Sequence, residues 1–252
     1  MHWDWQIFLS DDGGGRTYLE WMLQAWGWTL AVALSAWCVA VSVGTLVGVL
    51  RTLRSSPWIS RLALAWVELF RNIPLLVQVF LWYFVLPKLW PAMQQFPSFW
   101  LVALALGLFT SARIAEQFRA GIESIKSGQT QAALALGMTR AQMYQYVLMP
   151  VALRVILPPL TSESMNLLKN SSIAFAVSVP ELTMFAMQAQ EETSRGIEIY
   201  LAVTLLYAVS ALAVNRLFAL LEKRLRLPGA GGEGGARTPG AAPMATPLGL
   251  GH

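Results

Sequence analysis

Long apolar runs, separated by short charged stretches, divide the chain into five predicted transmembrane helices. A helix crosses the hydrocarbon core of a bilayer with about 20 apolar residues, and the chain carries no charge between Glu20 and Arg51. The predicted spans are residues 26–50, 58–87, 98–122, 150–172 and 197–221. The second span contains Pro74, so we expect a break or kink there. The pattern therefore predicts an all-α integral membrane protein.

The composition supports a membrane protein. Hydrophobic residues make up 56% of the chain and charged residues 13%, whereas about 25% of a soluble domain is charged. The alternative is a very apolar soluble domain. We expect an N-terminal segment (1–25), a transmembrane domain (26–227) and a tail (228–252). The tail is rich in Gly, Pro and Ala and has no periodic pattern of apolar residues, so it is predicted to be disordered.

Basic residues are distributed unevenly between alternate loops. They lie in or beside the loops after the first, third and fifth spans, as Arg51, Arg54, Arg61, Arg119, Lys126, Arg140, Lys223, Arg224 and Arg226. The N-terminal segment and the loop after the fourth span are richer in Asp and Glu. Because basic loops stay in the cytoplasm, the N-terminus is predicted to be periplasmic and the C-terminus cytoplasmic. The net charge of +4 then reflects basic loops beside anionic lipid, and nothing indicates a nucleic-acid partner.

Residues 128–150, predicted to be cytoplasmic, have the pattern of two short helices. Residues 131–136 favour a helix, and Gly137 suits a left-handed helix end. Thr139 has the spacing of a capping box with Gln142, and the second helix is expected to end before Pro150 while exposing Tyr144 and Tyr146. Ala132, Ala133 and Leu136 are expected on one face, with Gly137 as a point of close approach. An ordinary amphipathic helix at the membrane surface is the alternative.

This segment resembles the EAA loop of ABC importer permeases, which has Glu-Ala-Ala, a glycine four residues later, and then Ile-x-Leu-Pro. The matching positions are Gln131, Ala132, Ala133, Gly137, Val147, Met149 and Pro150. Gln131 stands where the family has glutamate, so the resemblance does not carry over one polar or ionic contact expected with the ATPase. Further strings resemble the polar amino-acid permeases, namely ELFRNIPLLVQ from residue 68, SARIAEQFR from 111, PPLTSE from 158 and NLLKNSS from 166.

The resemblance implies a MetI-like permease fold with a cytoplasmic coupling helix, in the bacterial inner membrane. It implies an ABC importer subunit that moves amino acids by alternating access, and it is greatest to members that import glutamate and aspartate. The implied partners are a second permease subunit, homologous or identical, a dimeric ATP-binding subunit, a periplasmic amino-acid-binding protein and membrane lipid. The coupling residues would be Gln131, Ala132, Ala133, Gly137 and Pro150.

Arg113 is a candidate substrate-path residue because an ionisable group inside a span is costly unless it is paired or hydrated. A guanidinium can bind a carboxylate through two hydrogen bonds. We therefore hypothesise that Arg113 contacts a substrate carboxylate. The alternatives are a structural pair with Glu116 or Glu163, or extension of the side chain to the cytoplasmic interface.

A second group of candidates follows the predicted fourth span. Glu163, Asn166 and Asn170 share one helical face, which we call the polar stripe. The hypothesis is that the stripe lines the translocation path with Ser171 and Ser172, and that Lys169 helps to hold an anionic substrate. Helix–helix hydrogen bonding is the alternative. Glu68 and Arg71, three residues apart, are expected to pair within their helix near its cytoplasmic end, with a role in transport as the alternative.

The sequence lacks the residues that several other functions require. No G-x-x-x-x-G-K-[ST] motif is present to bind ATP phosphates. No Cys/His cluster predicts a metal site, and no catalytic set is evident. The chain is thus predicted to be non-catalytic and without cofactor, with ATP bound by a partner subunit. The rivals are a permease for another polar amino acid, a secondary transporter, although no internal repeat is found, and a membrane scaffold.

Overall fold

The computed structural model describes residues 3–53 and 56–225, and every helix or strand element in those residues is helical. The α-helices are α1 (Tyr18–Arg51), α2 (Pro57–Asn72), α3 (Leu75–Phe80), α4 (Leu86–Leu89), α5 (Ser98–Glu123), α6 (Ser127–Ala135), α7 (Arg140–Met143), α8 (Met149–Asn170), α9 (Leu182–Thr193) and α10 (Gly196–Leu225). Four segments are long and apolar enough to cross a membrane, or five if α2–α4 form one bent span. The predicted fold class is confirmed, and the predicted disordered tail (228–252) lies outside the described residues.

Helix α1 begins at Tyr18 rather than at residue 26, because a capping box starts it there. Thr17 Oγ1 accepts a hydrogen bond from the Glu20 N–H, and the Glu20 carboxylate accepts one from the Thr17 N–H. Helix α1 has 34 residues and spans about 51 Å at 1.5 Å per residue. It is therefore longer than a hydrocarbon core of about 30 Å.

Helices α1 and α5 run in the same direction and pack closely, because glycines on α1 leave room for the α5 side chains. A Cβ atom added to Gly44 would lie 2.7 Å from Ile114 Cβ, and one added to Gly48 would lie 2.6 Å from Phe118 Cβ. Both distances are shorter than a carbon–carbon contact allows. Small residues bring transmembrane helices together in this way, and α8 packs against α5 to complete the main core.

The predicted second span is broken at Pro74, as expected. The axes of α2 and of α3–α4 differ by 102°, and the preceding Ile73 is extended with φ −99° and ψ 128°, as a residue before proline prefers. Buried Gln78 stabilises the break, since its Nε2 donates to the Phe70 and Ile73 carbonyl oxygens at 2.9 and 3.0 Å. The hydrophobic pattern had located the break but not its angle.

The prediction that a helix ends before Pro150 is wrong, although α8 (Met149–Asn170) agrees closely with the predicted fourth span, residues 150–172. Proline lacks an N–H, and its ring clashes with a carbonyl one α-turn earlier. The chain accommodates Pro150 with a π-helical turn, Tyr144–Leu148, in which the Met149 N–H donates to the Tyr144 carbonyl oxygen. Helicity therefore continues from α7 into α8 and then through a 3-10 turn, Ser171–Val177.

Helix α9 lies in the region that the sequence predicts as a loop between the last two spans. Its N-cap is Glu181, whose carboxylate accepts a hydrogen bond from the Met184 N–H at 2.9 Å. Ser178 ends the 3-10 turn that precedes α9, and Ser194 ends α9 itself. Both residues are in the left-handed conformation, with φ +60° and +56°. The helix packs against α1 and α10 in a second core that contains Tyr18, Phe185 and Ile199.

Candidate substrate path and coupling surface

The polar stripe lies on the C-terminal half of α8, as predicted. Glu163, Asn166 and Asn170 are all half-buried, whereas Lys169 is exposed. The hydroxyls of Ser171 and Ser172 donate to carbonyl oxygens three residues earlier, at 2.7 and 2.8 Å. Their hydrogen-bonding capacity is thus partly used by the helix end, while the stripe itself keeps polar atoms accessible.

Arg113 crosses from α5 to this stripe. Its Nη1 lies 3.4 Å from Glu163 Oε2, and 43% of its side-chain surface is exposed. The guanidinium carbon also lies 5.5 Å from the centre of the Phe109 ring. The structure therefore shows the predicted alternative, a pair with Glu163. Because the ion pair is long and half-open, it leaves guanidinium N–H groups able to bind another carboxylate, and the substrate contact stays a prediction.

Glu116, on the next turns of α5, is the centre of an ion-pair network that the sequence reasoning missed. Its carboxylate bonds to Arg51 of α1, lies 3.1 Å from Arg119 and lies 4.0 Å from Arg71 of α2. Arg119 also pairs with Glu123. The three- and four-residue spacings within α5 could have revealed part of this network, but the contacts with α1 and α2 depend on tertiary packing.

The expected pair between Glu68 and Arg71 is wrong. The Asn72 side-chain amide donates to Glu68 at 3.0 Å, while Arg71 extends towards Glu116. The four-residue spacing of Glu68 and Asn72 also suits a helix surface. As a result, Arg71 connects α2 with α5 instead of stabilising α2 alone.

Residues 128–150, which we call the coupling segment, contain the two predicted helix starts and the predicted turn between them, but the second helix continues past Pro150. Gly137 ends the first with φ +76°, and a capping box joins Thr139 to Gln142. Gln131 and Ala132 are exposed but Ala133 is buried. Leu136 is 80% exposed, so Ala132 and Leu136 share the exposed face as predicted, whereas the prediction is wrong for Ala133.

Gly137 is exposed, and a Cβ atom added to it would meet no atom within 4 Å. Its positive φ explains the glycine, and the open space around it is compatible with the close approach of a partner. Pro150 is also exposed, two residues after Leu148, where the π-helical turn ends.

Tyr144 ties the coupling segment to the end of α1. Its hydroxyl donates to the Thr52 carbonyl oxygen at 3.1 Å and lies 3.0 Å from the Thr52 hydroxyl. The ring is half-buried, so its predicted exposure is wrong, whereas Tyr146 is 63% exposed as predicted. Nothing in the local sequence pattern distinguishes the two tyrosines, because the difference arises from the position of α1.

A cavity of about 940 Å³ lies between the coupling segment and the ends of α1, α2 and α5. We call it the coupling cavity. Its lining includes Arg51, Arg61, Glu123, Gln131, Arg140 and Tyr144. Positive charge predominates, and Gln131 presents an uncharged amide on the wall where the family pattern has a carboxylate.

Fully buried Glu181 forms a separate polar cluster at the N-terminus of α9. It accepts a hydrogen bond from the Tyr207 hydroxyl at 2.8 Å, and the adjacent Leu182 N–H donates to Thr29 Oγ1 at 3.1 Å. Burial raises the pKa of the Glu181 carboxyl above its ordinary value, although the hydrogen bonds to it oppose that shift. The cluster joins α9 to α1 and α10, so its geometry indicates a structural role.

Apolar helices, a polar stripe and a capped helix pair at one end together define a multi-pass membrane permease. Residues 40–227 match the family described as the binding-protein-dependent transport system inner membrane component, and the chain belongs to this family. It is a multi-pass inner-membrane protein and a non-catalytic subunit of an ABC importer. Family membership implies an ATP-binding subunit and a substrate-binding protein as partners.

Individual relatives agree with this assignment. The chain is 42% identical over 240 residues to the glutamate/aspartate import permease protein GltJ of Escherichia coli K12, covering 91% of this chain and 97% of that protein. A solved amino acid ABC transporter with histidines is 32% identical, with a TM-score of 0.73 over 89% of this chain and all of that one. An inward-facing MetNI methionine ABC transporter has the same TM-score at 18% identity, covers 86% of this chain and all of that one, and supports the MetI-like fold alone.

Proposed function

We propose that this chain is the permease subunit of an ABC importer for acidic amino acids, namely glutamate and aspartate. The observation that carries the proposal is the 42% identity to a glutamate/aspartate permease over nearly the full length of both chains. Arg113 supports the acidic substrate, because its partly exposed guanidinium faces the polar stripe of α8. Lys169 adds an exposed positive charge on α8.

On binding, a substrate carboxylate would replace the Glu163 carboxylate as the partner of Arg113. In the structure the Arg113 guanidinium is held at 3.4 Å from Glu163, and a substrate carboxylate could take up two of its N–H groups in parallel. Asn166 and Asn170 would offer amide groups to the substrate's amino and carboxyl groups. Half-buried Ser172 would border the path at the end of α8, whereas Ser171 is fully buried.

The proposed cycle is alternating access driven by ATP hydrolysis in the partner. We place the N-terminus in the periplasm and the coupling segment in the cytoplasm, on the basis of the loop charges. A second permease would complete the path, a dimeric ATP-binding subunit would bind the coupling segment, and a periplasmic protein would deliver the amino acid. Helicity continues from α7 into α8, so movement of the coupling segment would be transmitted along α8 towards the polar stripe.

The test is uptake by the complete importer in proteoliposomes with ATP inside. Labelled glutamate and aspartate should enter only when the ATP-binding subunit is catalytically competent, and an uncoupler of ion gradients should have no effect. Uptake that needs an ion gradient but no ATPase would instead favour a secondary transporter. ATP hydrolysis and assembly without flux would favour a scaffold.

Competition assays and Arg113 variants test whether the importer prefers acidic amino acids. Unlabelled glutamine or histidine should compete poorly with glutamate, and Arg113→Ala should raise the KM for glutamate more than it lowers kcat, while Arg113→Lys retains part of the affinity. If histidine or glutamine is the better competitor, the chain serves another polar amino acid. Unchanged KM in Arg113→Ala would exclude the proposed contact.

A further inference from the structure

The coupling cavity holds unpaired positive charge at the surface expected to meet the ATP-binding subunit. Arg51 is neutralised by Glu116 and Glu123 by Arg119. Within residues 3–53 and 56–225, no carboxylate lies within ion-pair distance of Arg61 or Arg140, the other two charged groups in the lining. The Arg61 guanidinium carbon lies 5.3 Å from the centre of the Trp58 ring, a contact that leaves its charge without a counter-ion.

The coupling segment cannot supply the missing carboxylate. From Ser124 to Ser162 the chain contains Lys126, Arg140 and Arg154 but no Asp or Glu. The family's glutamate would have placed one negative charge at position 131, on the cavity wall. Gln131 removes that charge while keeping a side chain of similar size, so residues 124–162 offer these two arginines no carboxylate.

The exposed surface around the cavity favours a protein over lipid as the source. A helix that inserts among lipid headgroups carries its apolar residues on one continuous face. On α6 and its C-cap, exposed Gln129 and Gln131 alternate with Leu134 and Leu136, which are 48% and 80% exposed. Protein interfaces combine isolated apolar contacts with a polar and charged rim in this manner.

We propose that the ATP-binding subunit presents carboxylates to Arg61 and Arg140 at the coupling cavity, beside an apolar recess that receives Leu136. The proposal rests on the proposed function and specifies the chemistry of one of its contacts. Complementary charge mainly sets the encounter rate and the correct partner. The carboxylates would belong to the ATP-binding subunit of this importer, because residues 124–162 contain no Asp or Glu.

Salt-dependent binding tests the proposal. Permease in nanodiscs is titrated with its purified ATP-binding subunit at several salt concentrations, using wild type, the double variant Arg61→Gln/Arg140→Gln, and Arg154→Gln as a control. Arg154 is an exposed cation of the same region that does not line the cavity. The double variant should weaken binding about tenfold at low salt, as two partly exposed ion pairs do together, and should bind with a shallower salt dependence. Arg154→Gln should bind like wild type.

Charge reversal and an anionic-lipid control complete the test. The variant Arg61→Glu/Arg140→Glu should weaken binding at low salt more than the double Gln variant does, because like charges then face each other. Equal affinity and equal salt slope in wild type and the double variant would overturn the proposal. So would a double variant that keeps its affinity for the ATP-binding subunit but loses thermal stabilisation by anionic phospholipid, since the cavity would then be a lipid site. Wild type that binds no ATP-binding subunit would refute the proposed function itself.

Discussion

Replacing Tyr144 with Phe should uncouple ATP hydrolysis from uptake without unfolding the protein. The change keeps the half-buried ring and removes only the hydroxyl, which bonds to the Thr52 carbonyl oxygen at 3.1 Å. Thr52 is the C-cap of α1, and carbonyl groups at a helix end lack partners within the helix. The hydroxyl is thus a direct polar link between the coupling segment and α1.

The size of the effect follows from one neutral hydrogen bond. Such a bond contributes about 0.5–1.5 kcal/mol net, which corresponds to roughly a 2- to 12-fold change in an equilibrium constant. A contact that exists in only one of two conformations shifts their equilibrium by its full free energy, and one that exists equally in both shifts nothing. We therefore expect the number of molecules imported per ATP hydrolysed to decrease about 2- to 12-fold.

The assay measures labelled amino-acid uptake and phosphate release in the same proteoliposomes. Tyr146→Phe is the matched control, because Tyr146 lies two residues away and is 63% exposed. Thr52→Val removes the Thr52 hydroxyl, and combining it with Tyr144→Phe should give less than the sum of the two single effects. Unchanged uptake per ATP in Tyr144→Phe, or an equal loss in Tyr146→Phe, would refute the link.

Three further predictions concern stability, each measured by thermal unfolding of the purified permease. Gly48→Val forces a side chain against Phe118, 2.6 Å from the added Cβ, and should destabilise by about 1–3 kcal/mol; an unchanged melting temperature would contradict the close packing. Gln78→Leu leaves the Phe70 and Ile73 carbonyl oxygens without their donor and should cost about 1–3 kcal/mol, with faster hydrogen exchange at the break. The raised pKa of Glu181 means that the folded state binds its proton more tightly, so stability should fall as pH rises from the ordinary value of 4.5 through the raised pKa. Glu181→Gln should remove that dependence, and an unaltered pH profile would exclude the assignment.

Local sequence signals predicted the elements that local interactions determine. The uncharged runs located the long helices, Pro74 located the break, and the Gly137 and Thr139 signals located both ends of the turn in the coupling segment. These features depend on residues within a few positions of one another. The capping box at Thr17 was available from the same reasoning, and would have extended α1 to Tyr18.

Tertiary packing determined what the sequence reasoning missed. Glu116 has residues of opposite charge within α5, yet its bonds to Arg51 and Arg71 require three helices to meet. Glu181 follows a proline in an apparent loop, and its role as a buried cap becomes visible only when Tyr207 lies beside it. Sequence spacing also could not choose between Glu163 and a substrate as the partner of Arg113.

Pro150 gives the correction with the most functional consequence. A helix that ended there would separate the coupling segment from the polar stripe by a flexible joint. The π-helical turn instead keeps α7 and α8 in one helical path. Between Pro150 and Glu163, the pair Pro158 and Pro159 lies inside α8, where two backbone N–H groups are missing and bending is easier. Force from the coupling segment would therefore reach Pro158 along a continuous helix, and α8 would change direction there, next to the residues proposed to hold the substrate.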